Sequence, residues 1–212
     1  MTSTLFDLTG KVALVTGSTK GIGRAIAHRL SQDGFALVLV GRNSQELITT
    51  QKKLVTSSCI VNTDLNAPEA PDLILSASHN PLFQQTPLTA LINNAGIAIF
   101  KPADQVTFED WNAVMSTNLN GTFLCTQAAL PGLLQAQGSI VNIASISGVR
   151  ASTLRIAYGT SKAAIMHLTK QQAVEYGNQG VRANAIAPGP VDTEMAKLVH
   201  SADIRTSYSD AI

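Results

Sequence analysis

Two cysteines are all that 212 residues contain, too few for a disulfide framework. Cys59 and Cys125 each stand in an apolar run, Ser-Cys-Ile-Val and Phe-Leu-Cys-Thr. They read as buried free thiols of a reducing compartment, and the expected location is cytoplasmic. Charge is also scarce: Asp, Glu, Lys and Arg make up 14% of the chain and the net charge is +1. That balance gives no global pull toward nucleic acid or anionic lipid, so neither is expected as a partner. No apolar run is long enough to cross a bilayer. The opening Met-Thr-Ser-Thr-Leu-Phe-Asp-Leu has no basic region followed by an apolar run, so no secretory leader is expected. The histidines at 28, 79, 167 and 200 show no ligand spacing, and no metal is assigned. Hydrophobic residues still reach 45%, which argues against disorder. The length suits one α/β domain spanning residues 1–212.

What is present is a regular alternation. Short apolar runs at Val12–Thr16, Ala36–Val40, Cys59–Val61, Leu88–Ile92, Ser139–Ile143 and Val181–Ala187 predict six strands. Helices are predicted over Gly21–Asp33, from an N-cap at Ser44 toward Leu54, and over Thr107–Met115, Gly121–Gln135 and Ala157–Tyr176. Asn66–Pro87, with four prolines, is expected to hold one short helix and a turn. Strands apolar on both faces, separated by helices, imply a doubly wound parallel sheet covered on both sides.

Two groups of residues carry chemistry. Gly17, Gly21 and Gly23 follow the first strand and open a helix. Gly17 suits a tight exit from the strand, Gly21 a close approach of backbone to pyrophosphate, and Gly23 close helix packing. The helix N-terminus then offers N–H groups and a partial positive charge to phosphate. A plain βα turn can show the same glycines, so the flanking strand and helix decide the reading. After the second strand, where an acidic residue commonly holds a ribose hydroxyl, stand Gly41 and Arg42. Arginine pairs with a 2′-phosphate, and Lys20 in the glycine loop adds a second cation. The expected cofactor is NADP(H) in preference to NAD(H).

Tyr158 and Lys162, four apart on a helix, share a face. A phenol titrating near 10 is a poor acid or base at neutral pH, and an adjacent ammonium stabilises its phenolate. Ser145 ends the fifth strand, at the sheet edge where ligands bind in open α/β folds. Each residue has a bland alternative: a surface aromatic, a solvated charge and a helix cap. Their combination with the glycine loop favours hydride exchange between a nicotinamide and a carbonyl or alcohol.

On these pieces the chain resembles the short-chain dehydrogenase/reductase family. They are Thr16-Gly-Ser-Thr-Lys-Gly-Ile-Gly23, Asn93-Asn-Ala-Gly96, Asn118 in Asn-Leu-Asn-Gly121, Ser145, Tyr158-Gly-Thr-Ser-Lys162 and Pro188-Gly-Pro-Val-Asp-Thr193. The resemblance spans Lys11 to about Met195. It implies a Rossmann-type sheet and a catalytic set of Asn118, Ser145, Tyr158 and Lys162. It implies cofactor contacts from Gly17, Ser18, Thr19, Lys20, Gly21, Ile22 and Gly23, and from Gly41, Arg42 and Asn43. Asp64 and Leu65 would lie by the adenine, and Asn94, Ala95 and Gly96 by the adenosine ribose. Tyr158 and Lys162 would also meet the nicotinamide side, with Pro188, Gly189, Val191 and Thr193. Asn118 would kink its helix and hold a water leading from Lys162 to solvent.

Family members continue into a further helix and a seventh strand, so six strands are expected here, with Val181–Ala187 at an edge. The substrate pocket is expected from Ile97–Phe100, Ser147–Arg150, Pro190 and Met195–His200. The helix Gly121–Gln135 carries no charge, and the resemblance makes it a subunit contact of a homodimer or homotetramer, with Ala128 in the interface. The expected substrate is a small carbonyl compound or secondary alcohol. A 3-oxoacyl group on acyl carrier protein is the alternative, and the uncharged turns Gln135–Gly138 and Gly177–Gly180 argue against that acidic partner. A different class of reading is a catalytically weak, shortened chain that binds nucleotide and pairs with a homologue.

Overall fold

The computed structural model describes residues 7–194. Six parallel strands form one sheet: β1 (Val12–Thr16), β2 (Ala36–Gly41), β3 (Ser58–Asn62), β4 (Leu88–Asn93), β5 (Ser139–Ile143) and β6 (Arg182–Ile186). Their order is β3-β2-β1-β4-β5-β6. The order reverses direction between β1 and β4, the point at which α/β sheets open a crevice at their carboxyl ends. Among the described residues six helices connect the strands: α1 (Gly21–Gln32), α2 (Ser44–Gln51), α3 (Ala70–Ser78), α4 (Phe108–Met115), α5 (Gly121–Ala136) and α6 (Ile156–Gly177). This is the doubly wound Rossmann-type architecture.

Alternation along the strands divides the core in two. Val12 and Leu14 of β1 and Val38 and Val40 of β2 face a cluster with Ile74, Cys125, Ala129 and Leu133. Ala13, Val15, Leu37 and Leu39 face the other side, toward Ala27 and Leu47. All five β1 residues are buried, as a strand covered on both faces requires. Both cysteines are free, and burial pushes their thiols up, to about 11 for Cys59 and about 12 for Cys125. Neither is poised as a nucleophile.

Local chemistry moves some of the expected details. The cap of α2 is Asn43, not Ser44: the Asn43 carboxamide oxygen accepts from the Glu46 N–H at 3.1 Å. Asparagine one residue earlier satisfies an amide that the serine would have left to water. The α4 and α5 helices are not separated by a loop. A π-helical stretch, Ser116–Asn120, joins them, and Asn118 lies within it. Such a stretch bends a helix without breaking it. Ala128 does not stand on an outer face. It belongs to the core cluster with Cys125, Ala129 and Leu133. The outward stripe of α5 is Phe123, Gln127, Pro131 and Gln135, at successive intervals of four.

Between α5, α6 and the sheet lies a polar seam. The Asn93 amide donates to Asn142 Oδ1 (2.9 Å) and Thr126 Oγ1 (3.1 Å). The Asn142 amide donates to Thr169 Oγ1 and Gln172 Oε1, both at 2.8 Å. Each of these five residues is buried. The seam therefore fixes β4, β5 and both helices relative to one another with directional bonds, where apolar contacts alone would tolerate sliding.

Candidate active site

The site begins where β5 ends. The Ser145 hydroxyl oxygen accepts from the Ser147 N–H at 3.1 Å, which leaves its own hydrogen to donate. A single 3₁₀ turn, Ile146–Gly148, follows and lies on the backbone of α6. The approach is so close that a Cβ at Gly148 would stand 2.6 Å from the Ala163 nitrogen, and one at Gly159 2.9 Å from the Ser147 carbonyl oxygen. Only glycine fits both places. Ser145 is thereby held against the helix that carries Tyr158 and Lys162.

Lys162 is 5% exposed. Its ammonium donates to the Ile143 carbonyl at 2.7 Å and lies 5.8 Å from the centroid of the Tyr158 ring. A Cβ on Gly96 would come within 3.5 Å of that ammonium, so the chain after β4 forms its other wall. Asn118 locks this wall to α6. Its carboxamide oxygen accepts from Ile97 N–H (2.8 Å), and its amide donates to the Ile97 carbonyl (3.0 Å) and Ser161 Oγ (2.9 Å). Ser161 donates in turn to the Tyr158 carbonyl at 2.7 Å. Ser145, Tyr158, Lys162 and Asn118 are thus joined in one contact system.

The glycine loop has the backbone geometry that a phosphate cradle needs. Gly17 and Gly21 have positive φ, 64° and 55°, a region closed to most residues. A Cβ on Gly23 would meet the Gly17 carbonyl at 2.3 Å. The first turn of α1 has no side-chain cap from Lys20. Asn94 clips the loop to β4: its amide donates to the carbonyls of Thr16 (3.0 Å) and Gly17 (3.1 Å). Thr16 returns the contact, its hydroxyl accepting from the N–H groups of Asn94 and Ala95 at 2.9 and 3.0 Å. Sequence reasoning gave Thr16 no role. Its only signal was a hydroxyl at the last position of an apolar strand.

Not every expected cofactor residue presents a side chain. Ser18 is fully buried, and its hydroxyl donates to the Val40 carbonyl at 3.3 Å. Leu65 packs in the core, and the Asn43 side chain caps α2. Ser18 and Leu65 can meet a ligand only through backbone. Thr19 rests over Gly41, where a Cβ would lie 2.8 Å from its methyl. Ile22 is half-buried in the first turn of α1. Arg42 pairs with Asp64 at 3.5 Å and Lys20 with Glu194 at 3.7 Å, all at the surface. The Pro188 carbonyl accepts from the Ile146 N–H at 3.0 Å, which brings the Pro188–Thr193 segment beside the Ser145 turn. A Cβ on Gly189 would meet nothing within 4 Å among the described residues, and Val191 is exposed. Thr193 lies across the cradle, 3.5 Å from a Cβ on Gly21. Phe100 stands 6.1 Å from the Tyr158 ring. Met195–His200 falls outside the described residues.

A sequence profile of the family described as short chain dehydrogenase matches residues 11–203. The chain belongs to that family. An uncharacterized oxidoreductase of Staphylococcus epidermidis is 37% identical over 188 residues, 88% of this chain and 80% of the relative. The 3-oxoacyl-[acyl-carrier-protein] reductase FabG of Aquifex aeolicus is 34% identical over 211 residues, 97% of this chain and 83% of that protein. Among solved structures, one from Beutenbergia cavernae, described as a candidate NAD(P)-dependent gluconate 5-dehydrogenase with NADP bound at low occupancy, superposes with a TM-score of 0.88. It is 30% identical, and the match covers 97% of this chain and 82% of that one. A short-chain dehydrogenase is an oxidoreductase that binds a nicotinamide cofactor. The uncapped α1, the glycine backbone at positive φ and the open surface at Gly189 fit that group.

Burial gives Lys162 a measurable signature. It lowers the ammonium's titration from 10.5 to about 8, because desolvation disfavours the charged form. Above 10.5 neither folded nor unfolded lysine holds the proton. Between about 8 and 10.5 the unfolded chain binds more protons, so stability rises with pH. Below about 8 the penalty is constant. Lys162→Met removes the titration, so its stability advantage over the unmodified chain should shrink by about 3 kcal/mol between pH 7 and pH 10.5. Urea unfolding across that range measures this; a flat difference would show that water reaches the ammonium.

Proposed function

We propose that the chain interconverts a ketone and a secondary alcohol with NADP(H), using Tyr158 as general acid and base. The observation that carries this reading is the buried Lys162 ammonium beside Tyr158, with Ser145 clamped on the adjoining turn. The nicotinamide, when bound, supplies or accepts the hydride. In the reducing direction Tyr158 gives its phenolic proton to the substrate oxygen. Ser145 donates a hydrogen bond to the same oxygen, since its lone pair already serves Ser147. Lys162, protonated at neutral pH by its titration near 8, stabilises the phenolate that remains. Asn118 holds the wall around Lys162 in place. Proton transfer by a placed side chain of this kind contributes roughly 10²- to 10⁴-fold.

Arg42 and Lys20 support NADP(H) over NAD(H), because both place cations at the expected 2′-phosphate end of the cleft and no carboxylate stands at position 42. The NADP held by the Beutenbergia cavernae structure is consistent with this. A second reading, reduction of 3-oxoacyl groups on acyl carrier protein, is favoured by the similarity to the Aquifex aeolicus reductase. Assays on a carrier-protein thioester and on free ketones separate the two. Both cysteines are unpaired, which supports a cytoplasmic setting. Phe123, 45% exposed on the uncharged outer stripe of α5, supports a homodimer or homotetramer built on that face.

Three outcomes test these readings. Tyr158→Phe should lower turnover by at least ~10²-fold while NADPH still binds; retained turnover would remove Tyr158 from its role. Arg42→Asp should weaken NADPH far more than NADH, since repulsion replaces attraction, and equal losses in binding titrations would contradict the cofactor assignment. Phe123→Glu should shift the oligomer toward monomer by placing a charge at an apolar contact, which light scattering would detect. An unmodified chain that is already monomeric would refute the assembly.

A further inference from the structure

The chain that leaves β4 carries four apolar residues in a row, Ile-Ala-Ile-Phe at positions 97–100, outside any helix or strand and each half-buried. Both ends of this run are tied down. Asn118 holds Ile97 by its N–H and by its carbonyl. Next to Phe100, the Lys101 ammonium donates to Asp110. The Asp110 carboxylate also accepts from the Thr107 N–H at 3.2 Å and completes the capping box of α4. Phe100 is therefore placed between two fixed neighbours. Its ring centroid lies 6.1 Å from that of Tyr158, with 42° between the ring planes, a separation at which aromatic rings interact. The Arg155 guanidinium carbon stands 5.3 Å from the same ring and restrains it further. The chain between Ser145 and Tyr158 is apolar as well, with Ile146, Val149, Leu154 and Ile156 exposed. Leu154 has φ 65°, a left-handed conformation that a leucine keeps only where its surroundings impose it.

We propose that Phe100 is a specificity-determining residue that packs against an apolar ring on the substrate's carbonyl carbon. The inference rests on the assignment of Ser145 and Tyr158 as the groups holding the substrate oxygen, and it names the substrate class: an aryl alkyl ketone or the corresponding alcohol. An oxygen bonded to Tyr158 brings the carbonyl carbon, and whatever it carries, beside the ring that flanks the phenol. A flat ring in that place meets Phe100 in offset or edge-on contact, which adds to the gain from burying its area. A hydroxylated chain there would lose water without gaining partners. The side chains of residues 97–100 offer no donor or acceptor, and an unpaired hydroxyl against an apolar wall is costly. Because Phe100 is held by its neighbours before any ligand arrives, little side-chain freedom is lost when one binds.

The experiment uses methyl ketones whose second group is phenyl, naphthyl or a polyhydroxylated chain of similar length, with the unmodified chain, Phe100→Gln and Phe100→Ala. The unmodified chain should reduce the phenyl ketone with a higher kcat/KM than the polyhydroxylated one. Phe100→Gln should lower kcat/KM for the phenyl ketone by roughly 10-fold or more, the range for spoiling an apolar subsite, on KM more than on kcat. The polyhydroxylated ketone should be nearly unaffected. Phe100→Ala opens space, so its preference should move from phenyl toward naphthyl. Equal losses on every ketone in both variants would mean that Phe100 only orients Tyr158, and would overturn the proposal. So would an unmodified chain that prefers the polyhydroxylated ketone. Calorimetric titration of the same ketones into the chain saturated with oxidised cofactor, NADP⁺ or NAD⁺, gives a readout independent of turnover, since no hydride is there to transfer. If nothing is reduced, but the phenyl ketone binds more tightly than the polyhydroxylated one and loses that margin in Phe100→Gln, the apolar subsite stands and the assigned reaction falls. If ketones are reduced but the phenyl ketone shows no margin in either readout, the subsite falls and the reaction stands.

Discussion

The site depends on a steric constraint: the turn after β5 rests directly on the backbone of α6. Gly148 and Gly159 make that contact possible, since a Cβ at either would enter the opposing backbone. The consequence is chemical. Ser145 comes from the end of a strand, while Tyr158 and Lys162 come from a helix thirteen or more residues later. Without the close approach these groups would be separated by a layer of side chains. With it, the serine, the phenol and the ammonium are placed by main chain, which does not change rotamer.

Holding that arrangement requires α6 to stay in register with β5, and here the polar seam matters. Asn142 on β5 donates to Thr169 and Gln172 on α6, while Asn93 on β4 reaches Thr126 on α5. Thr126 also accepts from the Gln172 amide at 3.3 Å. Burying so many polar groups is costly unless they are paired. Nearly all of them are; Asn93 Oδ1 is the buried side-chain atom without a partner among the described residues. The seam continues upward, because Thr126 donates to the Thr122 carbonyl and Thr122 to the Asn118 carbonyl, both at 2.8 Å. The hydrogen-bond system that fixes the helices thus ends at the residue that walls in Lys162.

The strands and their order of chemistry were legible in the sequence because each rests on short-range rules. Short continuous apolar runs mark strands, and glycines at 17, 21 and 23 mark a turn into a helix. What was not legible depends on tertiary contact. Ala128 reads as one apolar residue among many on an uncharged helix, and only the position of the sheet assigns it to the core. Ser18 lies in the phosphate loop, yet its hydroxyl turns inward to Val40 because β2 passes beneath. The exchange of Asn43 for Ser44 as the cap is a choice between two good capping residues, which propensity alone does not separate.

Charge along the cleft follows a division of labour. At the glycine loop and the end of β2, Lys20 and Arg42 have carboxylate partners, Glu194 and Asp64. These pairs are long and exposed, and exposed pairs contribute only roughly 0–1 kcal/mol. They keep the cations in place at little energetic cost, and in the function proposed above they would release them to a phosphate, whose charge is larger and whose bonds are shorter. Around Tyr158 the arrangement is the opposite. Lys162 is buried and bonded to a backbone carbonyl, and the chain from Ser139 to Val174 holds no Asp or Glu. A carboxylate beside Lys162 would spend its field on a permanent partner. A carbonyl dipole holds the ammonium in position while leaving most of its charge directed at the phenol. In the function proposed above, the scarcity of acidic residues in this stretch would preserve the positive field of Lys162 for the phenol.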